Sequence, residues 1–157
     1  MKIFLSTHND DECLFGLDIL IEERPLVIIV THSTLQGDNG FERALESYKA
    51  IKDLGLPVCY LQIDEDKLTE EALIDKLKYF YTTDVVYIPK ESDNPQHNLV
   101  RETAKKIFRN TYEYENYLNG IVNKETKYPE IREKVLKYYK TQINIPDTKH
   151  YFIWFTG

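Results

Sequence analysis

Four short runs rich in branched and aromatic residues, "KIFLST" (2–7), "LVIIVT" (26–31), "PVCYLQI" (57–63) and "DVVYIP" (84–89), alternate with stretches whose apolar residues recur at helical spacing. A strand that is apolar on consecutive positions has no solvent face, so it must be covered from both sides. In the first interval Leu14, Leu17, Leu20 and Ile21 define a helix over residues 11–23, and Pro25 marks its exit. In the second, "GFERALESYKAIKDLG" (40–55) places Phe41, Leu45, Tyr48, Ile51 and Leu54 on one stripe, ended by Gly55. The third has Thr69 as an N-cap, with Ala72, Leu73, Leu77 and Phe80 on one face. This alternation predicts an α/β fold: a three-layer, Rossmann-like, doubly wound and mostly parallel sheet with helices on both faces.

Beyond residue 89 the pattern predicts a helix near residues 98–108, a late strand at "YEYENY", a helix at "EIREKVLKYYKTQ", and a terminal strand or docked tail at "YFIWFTG". No repeat, low-complexity tract or linker divides the chain, so residues 1–157 read as one domain, long enough to bury a substantial core. Acidic residues outnumber basic ones 26 to 20, a net charge of −6, which argues against broad binding to nucleic acid or to an anionic membrane. With only Cys13 and Cys59, no long apolar run and no basic leader, the expectation is a cytoplasmic protein without disulfides.

In doubly wound folds ligands bind beyond the carboxyl ends of the strands, which here selects the loops after residues 7, 31, 63 and 88. The first of these reads "THNDDECLFG". Acidic residues suit a helix start through capping and the helix dipole, which accounts for Asp10, Asp11 and Glu12 but not for His8. His8 and Asp11, three apart at a strand-to-helix turn, can aim a nitrogen and an oxygen at one point. His97, in "SDNPQHNLVRE" after the fourth strand, can complete a His, Asp, His set around a divalent metal with positions open for water. His32, in "VTHST", reaches the same edge as a pocket wall, a supporting group or a ligand, whereas nothing singles out His150. "GDNG" (37–40) lacks the lysine and glycine spacing of a phosphate loop, and no G-x-S-x-G elbow is present.

"THNDDECLFG" resembles the "(A/P)HPDDE" signature of the PIG-L/LmbE-like zinc-dependent N-deacetylases. Weaker landmarks follow in order: "FERALESYKAIKDLGL" is similar to the family's "R..E...A...LG" helix through Arg43, Glu46, Ala50, Leu54 and Gly55. "DVVYIPKESDNPQHNLVRETA" resembles the segment ending in "HPDH", with His97 on the final histidine, and "EKVLKYYKTQ" resembles a late helix, with Lys134 and Gln142 in place. The resemblance implies that His8, Asp11 and His97 bind one Zn2+ or another divalent metal, and that Asp10 is the general base. It also implies removal of an acetyl or similar acyl group from a small N-acylated, N-acetylglucosamine-like substrate. Amides of modified nucleosides or other non-sugar amines are the alternative substrates, and a catalytically weak metal-containing binding domain is the alternative class.

Several positions depart from the family pattern. Asn9 replaces a proline, Asn94 stands at the first histidine of "HPDH", Gln96 replaces its aspartate, and "THSTLQGDNG" lacks the acidic residue of "TDGE". Asn94 is then the candidate neutral donor to an oxyanion. Arg43 is either a substrate anchor or a helix-surface partner of Glu42 or Glu46, and His32 is grouped with it as a substrate-side residue. The short chain leaves room for a pocket wall from a neighbouring subunit of a homo-oligomer.

Overall fold

The computed structural model describes residues 1–32, 40–81, 83–115, 123–141 and 151–153. Most of "GDNG", the end of "YEYENY", Gln142, His150 and Trp154 lie outside them. The main sheet contains β1 (Lys2–Ser6), β2 (Leu26–Thr31), β3 (Val58–Ile63), β4 (Val85–Pro89) and β5 (Thr111–Tyr114). Their order is β3-β2-β1-β4-β5 and every pairing is parallel. β1 lies at the centre, and the chain leaves it first toward β2 and β3, then toward β4 and β5. The order therefore reverses beside the carboxyl end of β1, where the "THNDDE" loop begins.

The apolar runs divide by the period of two expected of strands. Phe4, Val27 and Ile29 point into one core with residues of α1 (Asp11–Phe15), α2 (Leu17–Glu23), α3 (Gly40–Asp53) and α6 (Pro129–Leu136). Ile3, Leu5, Ile28 and Val30 point into the other, against α4 (Glu70–Leu77) and α5 (Pro95–Ile107). The three-layer expectation holds, with an all-parallel main sheet.

Three local readings change. The single helix expected over residues 11–23 is two, broken at Gly16, where a Cβ would lie 2.2 Å from Phe4 Cζ. Close approach of that turn to the central strand, rather than loss of periodicity, sets the break. On α3 the expected apolar stripe is buried only toward its end: Phe41, Leu45 and Tyr48 are 73%, 42% and 44% exposed, while Arg43 and Ser47 face inward. At the chain's end Tyr151–Ile153 forms β7, antiparallel to a strand not expected from the sequence, β6 (Asn123–Glu125), and separate from the main sheet.

α6 also stops at Leu136, short of the expected run through "KYYKTQ", and elsewhere the pattern is kept. Thr69 caps α4 by accepting from the Ala72 N–H at 3.1 Å, and "TYEY" pairs with β4. No helix among the described residues is long and apolar enough to cross a membrane.

Candidate metal centre

The turn from β1 into α1 is closed by its own polar groups. The Asp10 N–H donates to the His8 carbonyl at 2.9 Å, and the same carbonyl accepts from Ser6 Oγ at 2.7 Å. The His8 N–H donates to Asp11 Oδ2 at 2.9 Å. Asn9 is fixed from α3, where Ser47 Oγ donates to its Oδ1 at 2.8 Å and lies 2.9 Å from the Tyr60 hydroxyl. Hydrogen bonding thus supplies here the restraint that a proline ring would give.

A five-residue helix is not stable alone, and α1 is held at both ends. Glu12 shares the Ser6 hydroxyl hydrogen with the His8 carbonyl, its Oε2 lying 2.8 Å from Ser6 Oγ, and accepts from the Tyr139 hydroxyl at 2.6 Å. Burial pushes the Glu12 carboxyl up to about 7, against these two donors, which favour its ionised form. Arg132, fully buried, donates through Nη1 to the carbonyls of Cys13 and Leu14 at 3.2 and 2.9 Å. Those carbonyls end the helix and would otherwise lack intrahelical partners.

At the other side of the loop, "NPQH" forms the first turn of α5. Asn94 is the N-cap, its Oδ1 accepting from the Gln96 and His97 N–H groups at 2.9 and 3.3 Å, and Pro95 occupies the next position. This turn directs His97, 1% exposed, toward His8 and Asp11.

Three potential ligand atoms meet there. His97 Nε2 lies 3.1 Å from Asp11 Oδ2, His8 Nδ1 lies 3.3 Å from the same oxygen, and the two nitrogens are 3.2 Å apart. Among the described residues this is the one group of histidine, cysteine and acidic side chains whose ligand atoms converge closely enough to hold a metal ion. Two imidazoles and a carboxylate suit zinc and other first-row divalent ions, and three protein ligands leave positions open.

The electrostatics call for positive charge between them. Burial opposes charge on His8, but the hydrogen bond and negative charge of Asp11, with Gln96 and Asp10, outweigh it and raise His8 to about 9. Burial likewise opposes ionisation of Asp11, yet His97 and His8 hold its carboxyl well below the usual range. The donor set and its field therefore fit a cation.

Asp10 is buried next to this group and its side chain makes no capping hydrogen bond, so the helix-cap explanation does not account for it. Burial and the adjacent Asp11 charge raise its carboxyl, and Arg43, with Nη2 3.4 Å from Asp10 Oδ2, opposes that rise. Arg43 is 4% exposed, which removes the helix-surface reading. His32 follows β2 directly and is half-buried, its N–H donating to the Ile63 carbonyl at 2.8 Å, and is outside the converging group. Asn94 lies beside the site as the cap just described.

Sequence reasoning singled out neither Ser47 nor Arg132, Tyr139 and the contact of Gln96 with His8. Ser47 carried a usable signal: four residues after Arg43, it shares a helix face with it, opposite the apolar stripe. The other contacts join residues 88 or more positions apart.

Neither a protein-family model nor a curated protein matches the sequence. Solved structures do match in shape. A triple mutant of a deacetylase of the teicoplanin biosynthetic pathway, Orf2*T, superposes with a TM-score of 0.65 at 15% identity, covering 90% of this chain and 82% of its own. The A40926 pseudoaglycone deacetylase Dbv21 gives 0.63 at 15% identity, with 93% and 84% covered. The chain shares the fold of these two deacetylases. The 4-carboxy-2-hydroxymuconate hydratase GalB of Pseudomonas putida KT2440 matches too, with a TM-score of 0.61 at 13% identity over 98% of this chain and 95% of that one. One fold thus carries both deacetylases and a hydratase, and the choice between chemistries falls to the side chains.

Proposed function

We propose that this chain is a metal-dependent hydrolase that removes an acetyl or similar acyl group from the amide nitrogen of a small, N-acetylglucosamine-like substrate. The observation that carries the reading is the convergence of His8 Nδ1, Asp11 Oδ2 and His97 Nε2 at the carboxyl edge of the sheet, with Asp10 buried alongside. The fold shared with a teicoplanin-pathway deacetylase and the A40926 pseudoaglycone deacetylase supports it.

His8, Asp11 and His97 would hold a divalent ion, which would polarise a carbonyl and lower the pKa of water toward about 7. Asp10 takes the proton from the attacking water as the new C–O bond forms. When the C–N bond breaks, Asp10 returns that proton to the nitrogen, releasing a carboxylic acid and a free amine. A carboxyl raised by burial is basic enough for the first step and acidic enough for the second. Arg43 aims Asp10 and favours its ionised form, and is assigned to hold a hydroxyl or anionic group of the substrate. The amide nitrogen of Asn94 is assigned to the oxyanion, its carbonyl oxygen being the helix cap. His32 belongs to the substrate side of the same edge, and a neighbouring subunit supplies the remaining wall. A reducing, cytoplasmic setting accords with two free cysteines, Cys13 and Cys59.

Zinc is the expected ion, with other divalent metals to be compared because the teicoplanin deacetylase Orf2 has been solved in a zinc-inhibited form. The match to GalB motivates a second reading, addition of water to a carbon-carbon double bond. Assays with each metal on N-acetylglucosaminyl compounds, acylated nucleosides and unsaturated carboxylates separate these. Release of acetate, lost in His8→Ala and His97→Ala, supports the proposal; hydration of the alkene without amide cleavage overturns it.

A further inference from the structure

Gln96 makes a contact that the ligand set does not explain. From the N-terminal turn of α5 its Oε1 lies 2.6 Å from His8 Nε2, the ring nitrogen opposite the one facing Asp11 and His97. Its Nε2 lies 3.4 Å from the backbone carbonyl of Glu65, in the loop after β3. A carbonyl oxygen only accepts, so the amide must turn its NH2 toward Glu65 and its oxygen toward His8. An amide oxygen also only accepts, so His8 must place a hydrogen on Nε2. Its Nδ1 lone pair is then the one available in the neutral ring, and it faces the convergence point.

We infer that Gln96 is a positioning residue that fixes His8 as an Nδ1 metal ligand, through a chain of hydrogen bonds from the Glu65 carbonyl to the Nε2–H of the imidazole. The inference rests on the metal-binding reading and adds to it the ligating atom and the group that selects it. The same helical turn does three jobs: Asn94 caps it, His97 ligates, and Gln96 orients the ligand on the opposite loop. Position 96 also decides the charge behind the imidazole, because an amide orients Nε2–H without adding a negative charge to the site.

The zinc complex of the wild-type chain, labelled with 15N, reports the ligating atom directly through long-range proton–nitrogen correlations of the His8 ring. Coordination through Nδ1 with a protonated Nε2 is expected; coordination through Nε2 overturns the inference while leaving the metal site standing. Chelator competition then measures affinity in Gln96→Leu and Gln96→Glu, with circular dichroism confirming that both fold. Loss of the acceptor in Gln96→Leu is expected to weaken zinc binding about 10- to 100-fold, and Gln96→Glu, which keeps an acceptor, to stay close to wild type. Wild-type affinity in Gln96→Leu overturns the positioning role. Failure of the wild-type chain to bind zinc, cobalt or manganese overturns the metal reading and this inference together.

Discussion

Asp10 and Asp11 are adjacent in sequence, yet their surroundings push them in opposite directions. Two histidines hold Asp11 ionised, while burial and the Asp11 charge raise Asp10 and leave Arg43 as its counter-charge. Such divergence is how two carboxylates take up a ligand's role and a base's role side by side. Asp10→Asn should therefore lower turnover by about 10²- to 10⁴-fold while bound metal, measured by atomic absorption, stays at the wild-type level. Loss of metal in that variant would assign Asp10 to the ligand set instead. Tyr139 belongs to the scaffold of the same loop. Tyr139→Phe removes the 2.6 Å hydrogen bond to a carboxylate 0% exposed, and denaturant unfolding should register a loss of about 1–3 kcal/mol. An unchanged midpoint would mean that Glu12 finds another donor.

At the level of elements, the β1–α1 turn with the short α1 and the first turn of α5 carry the candidate ligands between them, and both helices depend on their ends. Asn94→Ala should cost about 1 kcal/mol through loss of the cap, measurable by thermal unfolding. Asn94→Asp keeps the cap oxygen but removes the amide donor, so it should retain stability and lose turnover; retained turnover would remove Asn94 from the chemistry. Gly16→Ala should cost about 1–3 kcal/mol by forcing the ring of Phe4 to move, and a variant as stable as wild type would show that the turn can relax. These elements were unequally readable from the sequence. β1 to β4 announced themselves as compact runs of branched and aromatic residues, β1 and β2 being buried along almost their whole length. The break at Gly16 did not, because it depends on a phenylalanine twelve residues earlier on the central strand. The stripe on α3 misled for a similar reason: Phe41 and Leu45 are apolar but outward, and Arg43 and Ser47 turn inward to serve Asp10 and Asn9. β7 falls within the expected terminal strand, whereas its partner β6, three residues long and far away in sequence, is too short for a local pattern to mark.

For the molecule as a whole, strand order does the assembling. Because β4 pairs with β1, the loops after both strands meet, and His97 reaches His8 and Asp11 across 86 or more residues of chain. The set of three was readable because each member sits at a strand end, where the fold class already directs attention. Its support was not, since Gln96, Arg132 and Tyr139 act only through distant contacts. The most direct test is a titration of divalent ion into the metal-stripped chain, with occupancy and amide hydrolysis followed in one sample. One equivalent of zinc, cobalt or manganese should bind at neutral pH and restore deacetylation in proportion to occupancy. Absence of binding by all three, or hydrolysis that does not follow occupancy, would contradict a metal-dependent deacetylase.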